Sequence, residues 1–140
     1  MDLAGSDGDA YDCDLLIAGS GAAGLTAAIT AHALGLRPMV IEKSPWVMGD
    51  ADRLIKIAMY GLMGPIEVNG KKYDGQVPMT PFGGMLNDAE VAAVLTYVRN
   101  SFGNAAAPIQ PEEVQKIRAQ QPGRMMLYNA EELLKEHPMK

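Results

Sequence analysis

The chain has 140 residues, 12 basic against 17 acidic side chains, a net charge of -5 and one cysteine. Without a basic run it has no electrostatic footprint for nucleic acid or an anionic membrane surface, and the lone Cys13 excludes an internal disulfide framework and any C-x-x-C-H motif. No apolar run approaches the roughly 20 residues that cross a bilayer, and the opening "MDLAGSDGDAYD" lacks the blocks of a secretory signal, so a cytoplasmic location is expected of the chain as written.

Residues 1–10 have little to bury and predict a disordered N-terminus. From Leu15 to Ala18 the run is continuously apolar, as in a parallel strand covered on both faces. The alanine-rich stretch from Ala22 to Leu34 predicts a helix that Gly35 terminates, and Met39 to Ile41 predicts a second strand ending at Glu42. Residues 11–48 therefore form a β-α-β unit, with Trp46 expected to pack on its edge. Cys13 lies between Asp12 and Asp14, which suppress the thiolate, and reads as a strand residue and not a nucleophile. His32, without a Cys, Asp or His at ligand spacing, reads as a surface residue.

The texture changes at "KSPWVMGD". Asp50 predicts the cap of a helix through about Met59, with Gly61 near its end. Asn69-Gly70 supplies the positive φ angles of a two-residue hairpin inside "IEVNGKKY". After a Gly- and Pro-rich loop, Asn87 and Glu90 form a capping box before a helix whose stripe is Val91, Val94, Leu95, Val98 and Phe102. Residues 50–104 make one part and 105–140 a helical tail, with Pro111 in the first turn of one short helix and a second short helix following Asn129.

Gly19-Ser20-Gly21-Ala22-Ala23-Gly24 follows the first strand and opens the first helix. Gly19 permits the tight turn, Gly21 lets a pyrophosphate approach the backbone and Gly24 lets helix and strand pack closely. The helix N-terminus favours phosphate charge, and Glu42 stands where a carboxylate accepts ribose hydroxyl hydrogens. A purely structural glycine turn is the competing reading.

The wording "YDCDLLIAGSGAAGLTAAITAHALGLRPMVIEKSP" resembles the opening of the FAD-dependent fumarate reductase and 3-ketosteroid dehydrogenase family. The resemblance implies that Gly19, Ser20, Gly21, Ala23, Gly24, Glu42 and Lys43 contact the ADP half of FAD. It stops near Met48, before the segments that in the family approach the flavin ring and supply catalytic groups.

From Asp50 onward, "RLIKIAMYGLMGPIEVNGKKYDGQVPMTPFGGMLNDAEVAAVLTYVRNSFGN" resembles the C-terminal half of a class I cytochrome c domain. There a loop methionine is the sixth ligand of haem iron, and the resemblance gives that place to Met79. A methionine packed on Pro81 and Phe82 is the competing reading. Family members attach haem c through C-x-x-C-H on an N-terminal helix, which this chain lacks, and neither His32 nor His137 matches the proximal position. That missing helix is also what the "AVLTYVRN" helix packs across in the family, so its stripe needs another cover. The β-α-β unit, a second copy of the chain, or no fixed cover at all are the alternatives.

The fold class expected is an α/β N-terminal β-α-β unit, a Rossmann-like fragment, followed by a mainly α, cytochrome c-like C-terminal part with a short β-hairpin. The function expected is that of a redox or electron-transfer protein or fragment, not catalytically complete alone. A non-catalytic accessory or interaction protein, or a misassembled gene product, is the alternative. The expected partners are a flavin or adenine nucleotide and a second copy or redox protein. The cytochrome resemblance, taken alone, implies a periplasmic location.

Overall fold

A computed structural model describes residues 15–17, 22–36, 38–40, 44–68, 70–75, 78–101 and 104–139. Strand β1 (Leu15–Ile17) pairs in parallel with β2 (Pro38–Val40), Leu16 standing opposite Met39. Helix α1 (Ala22–Ala33) runs between them and ends in a turn where Gly35 has φ 77. Gly35 N donates to His32 O at 2.9 Å and Leu36 N to Ala31 O at 2.9 Å, bonds that close the helix end around a residue free to take positive φ.

Helix α2 (Pro45–Met48) has Ser44 as its N-cap, accepting from Trp46 N at 3.1 Å, and Pro45 in its first turn, where a missing N–H costs nothing. Helix α3 (Ala51–Tyr60) is capped by Asp50, which accepts from Arg53 N at 3.0 Å. Strand β3 (Leu62–Met63) follows, and a hairpin is formed by β4 (Ile66–Val68) and β5 (Lys71–Tyr73), paired antiparallel. Gly70 supplies a φ of 77 in the hairpin turn, while Asn69 lies outside the described residues.

Helix α4 (Asp88–Asn100) opens with the expected capping box: Glu90 N donates to Asn87 Oδ1 at 2.9 Å and Asn87 N to Glu90 Oε2 at 2.8 Å. Phe102 and Gly103 lie outside the described residues. Helix α5 (Pro111–Gln120), strand β6 (Tyr128–Asn129) and helix α6 (Ala130–Glu136) complete the chain, with Asn129 capping α6. Strand β6 pairs in parallel with β3, a long-range bridge of two residues with no local signature.

The core is built around α3, every residue of which from Arg53 to Tyr60 is buried. Val91, Val94, Leu95 and Val98 of α4, Val114 and Ile117 of α5 and Leu133 of α6 pack into the same cluster. Each such side chain contributes about 1.5–3 kcal/mol when fully buried. Ile29 of α1 joins this cluster, so α1 supplies cover for the α4 stripe. Trp46 departs from expectation. It is not on the edge of the β-α-β unit but buried in the core, its Nε1 donating to Glu67 O at 2.8 Å. No described helix is long and apolar enough to cross a membrane.

Candidate functional site

The parallel pairing of β1 and β2 puts their carboxyl ends on one side. Gly19, Ser20, Gly21, Glu42 and Lys43 lie outside the described residues, as does Cys13, while Ala23 and Gly24 occupy the first turn of α1. That first turn holds no acidic residue, so no carboxylate competes with a phosphate for the helix-terminal amides and the dipole behind them. Two adjacent parallel strands and a helix N-terminus without acid fit the ADP half of FAD.

The Met79 loop is tied to the C-terminal end of α3. Met79 N donates to Leu62 O at 2.8 Å, Phe82 N to Ala58 O at 3.0 Å and Gly83 N to Met59 O at 2.9 Å. Gly61 ends α3 with φ 77, and a Cβ there would collide with the Met79 carbonyl and the Leu127 side chain, so glycine is required twice over. Met79 and Phe82 are buried while Pro81 is exposed. Nearby, the rings of Tyr60 and Tyr128 meet edge to face with centroids 6.0 Å apart, and the Arg124 guanidinium lies 3.6 Å from the Tyr128 ring centroid. Both hydroxyls are buried without a hydrogen-bond partner. Burial pushes the Tyr128 phenol up to about 12, against the opposing pull of the Arg124 charge.

These surroundings do not fit haem c. His137 contacts Asp50 at the N-terminal end of α3, whereas Met79 is bonded beyond its C-terminal end. A helix of 10 residues puts about 15 Å between them. His32 is half-buried, and its ring stacks on Tyr97 with centroids 5.8 Å apart. The seam between Ile29 and the side chains of Ala58, Phe82, Leu86, Val91, Val94 and Leu95 leaves no room for a water molecule. Among the described residues no three His, Cys, Asp or Glu side chains cluster to hold a metal ion.

One buried polar cluster has no sequence signature. Arg53, 1% exposed, donates from one terminal nitrogen to His137 O at 2.9 Å and from the other to Pro45 O at 2.7 Å, with its guanidinium 5.4 Å from the Trp46 ring centroid. Lys56 Nζ lies 2.6 Å from Glu136 Oε2 and 2.9 Å from His137 Nε2. The other ring nitrogen, Nδ1, faces Asp50 Oδ1 at 3.4 Å. The cluster fastens the tail to α2 and α3, with both terminal nitrogens of Arg53 bonded and its Nε buried without a partner.

Residues 14–53 match the family described as an FAD binding domain. The chain is also 42% identical over 76 residues to a cytochrome c-552 of Thermus thermophilus, the match covering 51% of this chain and 56% of that protein. A second cytochrome c-552, from a named strain of the same organism, is 42% identical over 76 residues, covering 51% of this chain and 49% of the relative. The chain thus spans about half the length of the curated relatives it matches. It is a composite by similarity, joining an FAD-binding start to a stretch akin to a small cytochrome c.

Proposed function

We propose that the chain is a redox or electron-transfer protein or fragment whose residues 11–48 take the ADP half of FAD. The observation that carries this reading is the parallel β1 and β2 flanking an α1 whose first turn is free of acid, within a segment matching an FAD binding domain. Gly19 makes the turn, Gly21 admits the pyrophosphate, Gly24 brings α1 against β1, and Ser20 and Ala23 line the same approach. Glu42 accepts from the ribose hydroxyls and Lys43 adds a cation beside the phosphates. Bound FAD supplies two-electron transfer at its isoalloxazine ring. Enclosing that ring takes protein beyond this unit, and the chain is not catalytically complete alone.

Residues 50–104 and the tail 105–140 serve as a compact support in which Met79 packs and does not ligate. The 42% identity to a cytochrome c-552 favours one second reading. In it Met79 binds haem iron together with a histidine from another chain.

Calorimetric titration of the full chain with ADP and with FAD tests the first reading. Saturable binding, weakened at least about tenfold by Gly21→Ala and by Glu42→Ala, is expected from the loss of backbone approach and of the ribose acceptor. Equal affinity in wild type and both variants contradicts it.

A further inference from the structure

The chain carries 10 methionines, and those whose burial is described range from fully buried to almost fully exposed. Met125 and Met126 are 93% and 77% exposed, whereas Met59 and Met79 are 2% and 1% exposed. The exposed pair does not sit on a loose tail. Arg124 donates from Nε to Met126 O at 3.0 Å, from its backbone N to Gln121 O at 3.3 Å and from one terminal nitrogen to both Glu132 carboxylate oxygens at 2.9 and 3.1 Å. Its guanidinium also covers the Tyr128 ring, and the next residue, Leu127, reaches in beside Gly61. A pinned loop therefore presents two adjacent thioethers to solvent, where neither contributes to the core.

Among the described residues, thioether sulfur is the most readily oxidised group at such exposure. A sulfur lone pair attacks one peroxide oxygen, the O–O bond breaks as the S–O bond forms, and the departing hydroxide takes up the proton and leaves as water. Sulfur loses two electrons and the peroxide gains them. The resulting sulfoxide is polar. At Met125 or Met126 it stands in water and disturbs no packing. At Met59 or Met79 it would put a polar oxygen into a closed core, where an unpaired acceptor costs about 1–3 kcal/mol.

We propose that Met125 and Met126 form an oxidation site for peroxide-class oxidants, taking oxygen ahead of the buried methionines and leaving the fold intact. The pair acts as a sink that a methionine sulfoxide reductase can regenerate. This stands apart from the flavin reading and does not depend on bound FAD.

The test is graded hydrogen peroxide on the full chain, followed in one sample by peptide mass mapping and thermal melting. Met125 and Met126 are expected to gain oxygen roughly tenfold faster or more than Met59 and Met79, with Tm unchanged while only the pair is modified. In a Met125→Leu, Met126→Leu double variant, limiting peroxide is expected to shift to Met85 and Met63, the next most exposed among the described methionines, at unchanged Tm. Oxidation of Met59 or Met79 as fast as the pair, or a Tm that falls in step with the first oxygens on the pair, would overturn the proposal.

Discussion

The His32 ring stacks on the Tyr97 ring with centroids 5.8 Å apart and planes at 25°, joining a helix of the FAD-like segment to a helix of the cytochrome-like stretch. One turn earlier on α1, Ile29 enters the common core. The stripe of α4 thereby gains its cover from within the chain. Ile29→Ala is expected to lower stability by about 2–5 kcal/mol, the cost of an Ile truncation in a closed core. Urea unfolding checks it, and an unchanged midpoint would mean that α1 does not cover α4.

Arg53 reaches backbone carbonyls of α2 and of the tail at once. Arg53→Met keeps most of the volume and removes every donor. The expected loss is about 2–3 kcal/mol, as for hydrogen bonds made by a charged group. Hydrogen exchange is expected to rise at residues 137–139. Loss of stability without that local rise would place the role of Arg53 in packing on Trp46 alone.

How far the sequence reached depended on the range of the forces involved. The caps at Asp50 and Asn87 and the positive φ of Gly70 were legible because each is decided within a few residues. Trp46 was misplaced because its partners, Glu67 and Arg53, lie in elements that a local pattern does not join to it. The β3–β6 bridge is two residues long and exists only because the tail folds back over α3. Arg118 holds Asp88 at 2.7 Å and Leu86 O at 3.0 Å, and a carbonyl partner leaves no trace in sequence. Of the proposed nucleotide contacts, the sequence names the residues and the described structure supplies the strands and helix around them.

Tyr128 yields a prediction of unusual sign. Its hydroxyl is buried and unpartnered, so Tyr128→Phe removes a desolvated group and no hydrogen bond. The variant is expected to be as stable as wild type at neutral pH or up to about 1 kcal/mol more stable. Burial raises the phenol from 10.0 to about 12 in the folded chain. The protonated form is the one the fold favours. Stability is therefore full below pH 10.0 and falls as pH rises toward about 12. Denaturant midpoints across that range check this, and an equally steep alkaline decline in Tyr128→Phe would assign the effect elsewhere.

Asp50 acts at the other end of the scale. Burial alone would raise its carboxyl, but the hydrogen bond from Arg53 N and the charges of His137 and Arg53 outweigh it and hold the group below its ordinary 3.8. A depressed folded value means that the stabilisation is present above 3.8 and is lost as pH falls through the folded value. Asp50→Asn keeps a capping oxygen and removes the charge. Its acid unfolding limb is expected to be shallower than that of wild type, and superimposable limbs would show that Asp50 does not drive acid loss.

The absorption spectrum of the full chain tests the central claim most directly. Protein expressed with haem maturation, equilibrated with FAD and passed through a desalting column is predicted to keep flavin bands and to show no Soret band. Glu42→Ala is predicted to lose the flavin bands. A Soret band that disappears in Met79→Ala, with no flavin retained, would contradict the account.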